Sequence, residues 1–246
     1  VPSYYYIDLF FDCEVGEAVE GTVSAAIEAG CRFERVAMGD VAEGDHAAIL
    51  DPATLGPSNL AERGQAFVAE HLRRGERAIG FPPWGRILFT FPFEFDEALQ
   101  EDMREEEREC HSSARDVGLS FLYERSPLGD VAPRVRASIS FWEDYVLSLG
   151  SEEAHEVNMS RMLALVEGIY ETARPYFGAL NDEIHINAER SFETLTRGDV
   201  PRENEFVLVG RRVVGRLNTD ALVESGVTWK VLSDGGLLLQ TRRRWG

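Results

Sequence analysis

Asp8, Asp12 and Glu14 are the first residues in the chain whose types and spacing could do chemistry. They lie on or just after residues 4–11, YYYIDLFF, a stretch that reads as a β-strand. Side chains two apart share a face of a strand, so Asp8 and Asp12 would point the same way if the strand ran on. Strand-borne carboxylates can hold Mg²⁺ for phosphoryl transfer. A hard cation needs more converging ligands than this spacing supplies, and a surface acid followed by a turn is the simpler account. The histidines, His46, His71, His111, His155 and His185, are scattered, with no HExxH and no pair at i, i+4. Cys110 and His111 are adjacent, but helix neighbours point about 100° apart, which does not favour a thiol–imidazole hydrogen bond. No glycine-rich phosphate loop follows a strand, and GxSxG is absent. The sequence therefore favours a protein that is not an enzyme and calls for no cofactor. A metal-dependent phosphodiesterase or nuclease using Asp8 and Asp12 is the enzymatic alternative.

The elements that must position such residues read as α+β. The clearest helix is 151–174: Ser151 caps it, and Glu152 and Glu153 suit the positive end of its dipole. Met159, Met162, Leu163, Val166, Ile169, Tyr170 and Ala173 recur at spacings of three and four as one apolar face. Pro175 marks its end, and Gly178 stands where a turn residue is wanted. Further helices are expected at 16–29, 60–74, 96–116, 189–195 and 219–224. Strands are expected at 4–11, 31–38, 47–50, 86–95, 117–123, 135–142, 206–209, 212–217, 228–232 and 237–241, with a hairpin turn at Asp234–Gly236. Mostly antiparallel sheets packed by the long helix are the expected architecture. The order strand, helix, strands occurs twice, which suggests a duplicated unit. Residues 126–133 carry two prolines and a glycine and divide the chain into 1–125 and 134–246, as two halves or one continuous domain.

Charge is the most informative total. The chain has 43 acidic residues against 25 basic, a net −18, and Lys230 is its only lysine. A salty cytoplasm or an arginine-rich codon bias accounts for such a surface, since net charge speaks to solubility and partners. The alternative to a binding role is thus a cytoplasmic protein whose acidity is halophilic solvent adaptation. A broad phosphate-contacting surface is disfavoured at this charge, so no nucleic-acid partner is expected. The densest acids, Glu101, Asp102, Glu105, Glu106, Glu107 and Glu109, fall in the 96–116 helix and form the candidate face for a basic partner. Arg242–Arg244 read as a solvated tail. No run approaches the ~20 apolar residues that cross a bilayer, and the start lacks a basic leader. Three cysteines without a CxxC pair fit a reducing cytoplasm.

Two stretches carry a family likeness: ARPYFGALNDE (173–183) and EFVLVGRRVVGRLNTDALVESGVTWKVLSDGGLLLQ (205–240). Together they resemble a family of uncharacterised proteins and the immunity proteins of bacterial polymorphic-toxin systems. The likeness covers about the last third of the chain and consists of turns and strand patterns, with no catalytic signature. It implies an α+β protein that sequesters a toxin without doing chemistry.

Overall fold

The alternation in residues 4–11 places Tyr5, Ile7, Leu9 and Phe11 on one side of their strand, and all four are buried. A computed structural model describes residues 4–37, 56–83, 85–94, 116–124, 134–142, 151–182, 188–201 and 204–241. In chain order the elements are β1 (Tyr4–Phe11), α1 (Val15–Glu28), β2 (Arg32–Ala37), α2 (Pro57–Arg73), β3 (Ala78–Phe81), β4 (Arg86–Thr90), β5 (Asp116–Glu124) and β6 (Arg134–Trp142). Then follow α3 (Glu152–Ala173), β7 (Phe177–Asp182), α4 (Ala188–Arg197), β8 (Asn204–Val209), α5 (Arg211–Val214), α6 (Thr219–Glu224), β9 (Thr228–Val231) and β10 (Leu237–Gln240).

Among the described residues the strands form one ten-stranded sheet, ordered β2-β4-β5-β6-β1-β7-β8-β10-β9. Every pairing is antiparallel. β1 is its middle, with Ile7 opposite Ile139 on β6 and Leu180 on β7. β3 and β4 lie end to end along one side of β5. The fold is α+β with an antiparallel sheet, as the strand pattern predicts.

Among the described residues α1, α2 and α3 cover one face of the sheet. α1 packs against both α2 and α3, and Thr172 Oγ1 donates to the Gly21 carbonyl at 3.0 Å, tying α3 to α1. α3 is 22 residues, about 33 Å, long enough to cross several strands. Ser151 Oγ accepts the Ala154 N–H at 3.2 Å, the predicted cap. Its buried face is Ala154, Asn158, Met159, Met162, Leu165, Val166, Ile169 and Tyr170. Leu163 is only half-buried and Leu165 takes the core position. A second, smaller cluster fills the opposite face of β7, β8 and β10, where Phe177, Ala179, Val207, Val209, Leu237 and Leu239 meet Leu195 of α4 and Leu222 of α6.

Several expectations change. Helix α2 begins at Pro57 rather than residue 60, because proline's fixed φ and missing N–H suit a first helical position. The strand expected over 86–95 stops at Thr90. Beyond it Asn158, buried in α3, accepts the Glu94 N–H at 2.7 Å and donates to its carbonyl at 2.9 Å, so the helix satisfies that backbone instead of the sheet. Residues 212–217 are not a strand. α5 occupies 211–214, and Val213, Val214 and Leu217 recur at a helical spacing against the second cluster. Gly178 is no turn residue: it sits inside β7, where a Cβ would stand 2.5 Å from Leu9 Cδ2. β3 and β7 escape the sequence reading. The expected strand at 47–50 and residues 96–115 of the expected helix lie outside the described residues, and Asp116, its expected last residue, opens β5.

Candidate functional site

The strand that carries Asp8 ends at Phe11, so Asp8 and Asp12 do not continue along one face. Asp8 lies on the side of β1 away from α1, α2 and α3, only 5% exposed, and accepts a hydrogen bond from the Ser138 hydroxyl on β6. Asp12 is ion-paired with Arg212 beside α5. Glu14 starts α1 and accepts Gln65 Nε2 from α2 at 2.9 Å. Each acid thus has its own partner, and no group of three or more His, Cys, Asp or Glu gathers among the described residues. The face around Asp8 is polar: Arg86 Nη1 donates to Ser140 Oγ at 3.1 Å, and Ser140 Oγ donates to the Gly118 carbonyl at 3.3 Å.

The two described cysteines are poor nucleophiles. Burial, with Glu17 adding negative charge, pushes the Cys13 thiol up to about 11, and burial pushes Cys31 up to about 12. A thiol is reactive only as thiolate, so both are inert near neutral pH. His71 Nδ1 sits 2.7 Å from Glu76 Oε1, with the Phe67 ring packed on it, a pair at the C-terminal end of α2. The acids predicted to meet a partner, Glu101, Asp102, Glu105, Glu106, Glu107 and Glu109, lie outside the described residues, as do Cys110, His111 and Arg242–Arg244.

The described residues do contain an open groove of about 530 Å³. It lies between the middle turns of α3, residues 159–167, and strands β8, β9 and β10. Met159 and Leu163 of α3, Phe206 of β8 and Leu238 of β10 give it apolar walls. Ser160, Ala164 and Glu167 border it from the helix, and Thr228, Lys230 and Gln240 from the strands. Lys230 Nζ donates to both Glu167 carboxylate oxygens at 2.7 Å, spanning from β9 to α3. Glu167 is the acid among these lining residues, and Glu152, Glu153 and Glu156 are exposed on the first turns of the same helix. Trp229 and the 62%-exposed Val231 follow along β9, the end strand of the sheet.

No family model matches the chain, and no curated protein matches it. Among solved structures it is similar to the Pseudomonas aeruginosa T6SS protein PA0821, at 11% identity and a TM-score of 0.43. That alignment covers 97% of this chain and 65% of the other, so the chain spans less than two thirds of that protein's length. No described helix is long and apolar enough to cross a membrane.

The sequence misses this groove for a clear reason. Leu163 and Met159 carry the same signal as the core residues of α3, and only packing shows where the sheet stops beneath them. One signal is readable: the sole lysine of the chain marks the groove's edge.

Proposed function

We propose that this chain is a non-enzymatic protein-binding protein whose partner is a basic protein. The observation that carries this reading is the groove between α3 and the β9–β10 end of the sheet, apolar within and set on a helix whose first turns carry the exposed Glu152, Glu153 and Glu156. Apolar contact area inside a polar rim is the usual make-up of a protein interface. Opposite charge steers a basic partner toward a chain of net −18. The resemblance of residues 173–183 and 205–240 to immunity proteins supports a toxin-like partner, sequestered rather than modified.

The test starts with affinity capture from the native cell, using wild type and Ala164→Trp. Ala164 is exposed at the groove's border, so a tryptophan there fills the groove without entering the core. The expected result is a net-basic protein retained by wild type and lost by the variant at unchanged circular dichroism. Co-expression of the captured protein should be harmful alone and harmless with wild type. Retention of the same proteins by both forms, or capture of acidic proteins only, overturns the reading.

A further inference from the structure

Resting on that reading, we infer that the partner enters as an extended, basic segment that adds a strand to the outer edge of β9. Among the described residues β9 pairs only with β10, and it closes the sheet order. An end strand offers unpaired backbone groups that another chain can complete. The register tells which groups these are. Leu232 N–H bonds the Gly236 carbonyl at 2.8 Å, and antiparallel ladders alternate, so Lys230 and Thr228 turn their backbone groups toward β10. Trp229 and Val231 therefore direct theirs outward.

Natural edges are blunted by charge, and the two ends of this sheet differ in that respect. At the β2 end Arg32 and Glu34 are both exposed. At the β9 end the only charged residue is Lys230, and Glu167 draws its ammonium inward over the groove. What remains along the edge is threonine, tryptophan and the exposed Val231, all strand formers. Alternate side chains of an added strand would face the helix side of the sheet, toward the groove that Met159 and Leu163 line. Charge also separates the occupants. A second copy brings another −18 to the same edge, whereas a basic segment is attracted to it.

The probe is a fluorescent eight-residue peptide of alternating arginine and valine, with a twin N-methylated at every second amide. The wild-type chain should bind the first peptide at least about tenfold more tightly than its twin, which keeps charge and side chains but cannot complete a ladder. Binding should slow hydrogen exchange at the Trp229 and Val231 amides. Val231→Pro removes one outward N–H and leaves the β9–β10 ladder whole, so it should weaken binding by a similar factor. Equal affinity for the two peptides, or unchanged exchange at Trp229 and Val231, overturns strand addition. If Ala164→Trp then still abolishes capture of the basic protein, groove binding stands without it. A dimer of the free chain that Val231→Pro dissociates would make the occupant a second copy and overturn the basic-segment proposal.

Discussion

The buried Tyr170 hydroxyl donates to Asp234 Oδ1 at 2.6 Å and accepts the Arg211 N–H at 3.2 Å. One side chain of α3 thereby holds the β9–β10 turn and the start of α5. Asp234 Oδ1 also accepts the Gly236 N–H at 3.0 Å, and Arg174 Nη1 lies 3.5 Å from Asp234 Oδ2. The fit leaves no room: a Cβ on Gly236 would stand 2.3 Å from the Tyr170 oxygen. Tyr170→Phe should cost about 1–3 kcal/mol, because it removes a hydrogen bond to a charged carboxylate and takes the acceptor from the Arg211 N–H. Urea denaturation measures it, and a loss within about 0.3 kcal/mol would show that solvent replaces the hydroxyl.

The same pair sets a pH window. Burial raises the Asp234 carboxyl, but the Tyr170 hydroxyl, the Gly236 N–H and Arg174 together outweigh it and hold the group below its ordinary 3.8. Its contribution is therefore present above that value and is lost as pH falls through the lower folded pKa. Tyr170 moves the other way: burial first, then Asp234, raise it above 10. That contribution is present below pH 10 and is lost as pH rises past it. Tyr170→Phe should flatten both limbs of the stability profile. A variant whose profile parallels wild type at both ends would rule out the coupling.

Two substitutions on α3 should separate core from groove. Ile169 is fully buried, and Ile169→Ala should cost about 2–5 kcal/mol. Leu163 lines the groove and is half-buried, so Leu163→Ala should cost about half as much or less, yet weaken partner capture. Equal losses of stability would put Leu163 back in the core.

Thiol labelling followed site by site in mass spectra should find Cys13 and Cys31 slow at pH 8 and fast in urea. Their pKa values near 11 and 12 leave little thiolate at that pH. Rapid labelling of Cys31 in the folded protein would contradict its burial.

Net −18 with a single lysine makes self-repulsion large at low ionic strength. The melting temperature should rise between about 50 mM and about 1 M KCl as the repulsion is screened. Calorimetry gives the answer directly, and a flat curve would mean that the charges are already balanced by local pairs.

Much of this molecule is legible in its sequence where the signal is local. Period-two alternation in residues 4–11 and 135–142 marks β1 and β6, and the stripe from Met159 to Tyr170 marks α3. Ser151 and Asp234–Gly236 mark a cap and a turn, because capping and turn chemistry act over two to four residues. Tertiary contact decided the rest. β7 was hidden, since FGALND shows no alternation and is a strand only because β1 and β8 flank it. The RRVV run fits either period, and packing of Val213, Val214 and Leu217 made it helical. Asn158 reads as polar surface, yet it is buried because Glu94, 64 residues away in sequence, fills both its hydrogen-bonding groups. The groove belongs to the same class. Met159 and Leu163 carry identical apolar signals to the core of α3, and which of them meets a strand or open space depends on where the sheet ends. Periodicity fixes which side of a helix is apolar, whereas what covers that side is a property of residues distant in the chain.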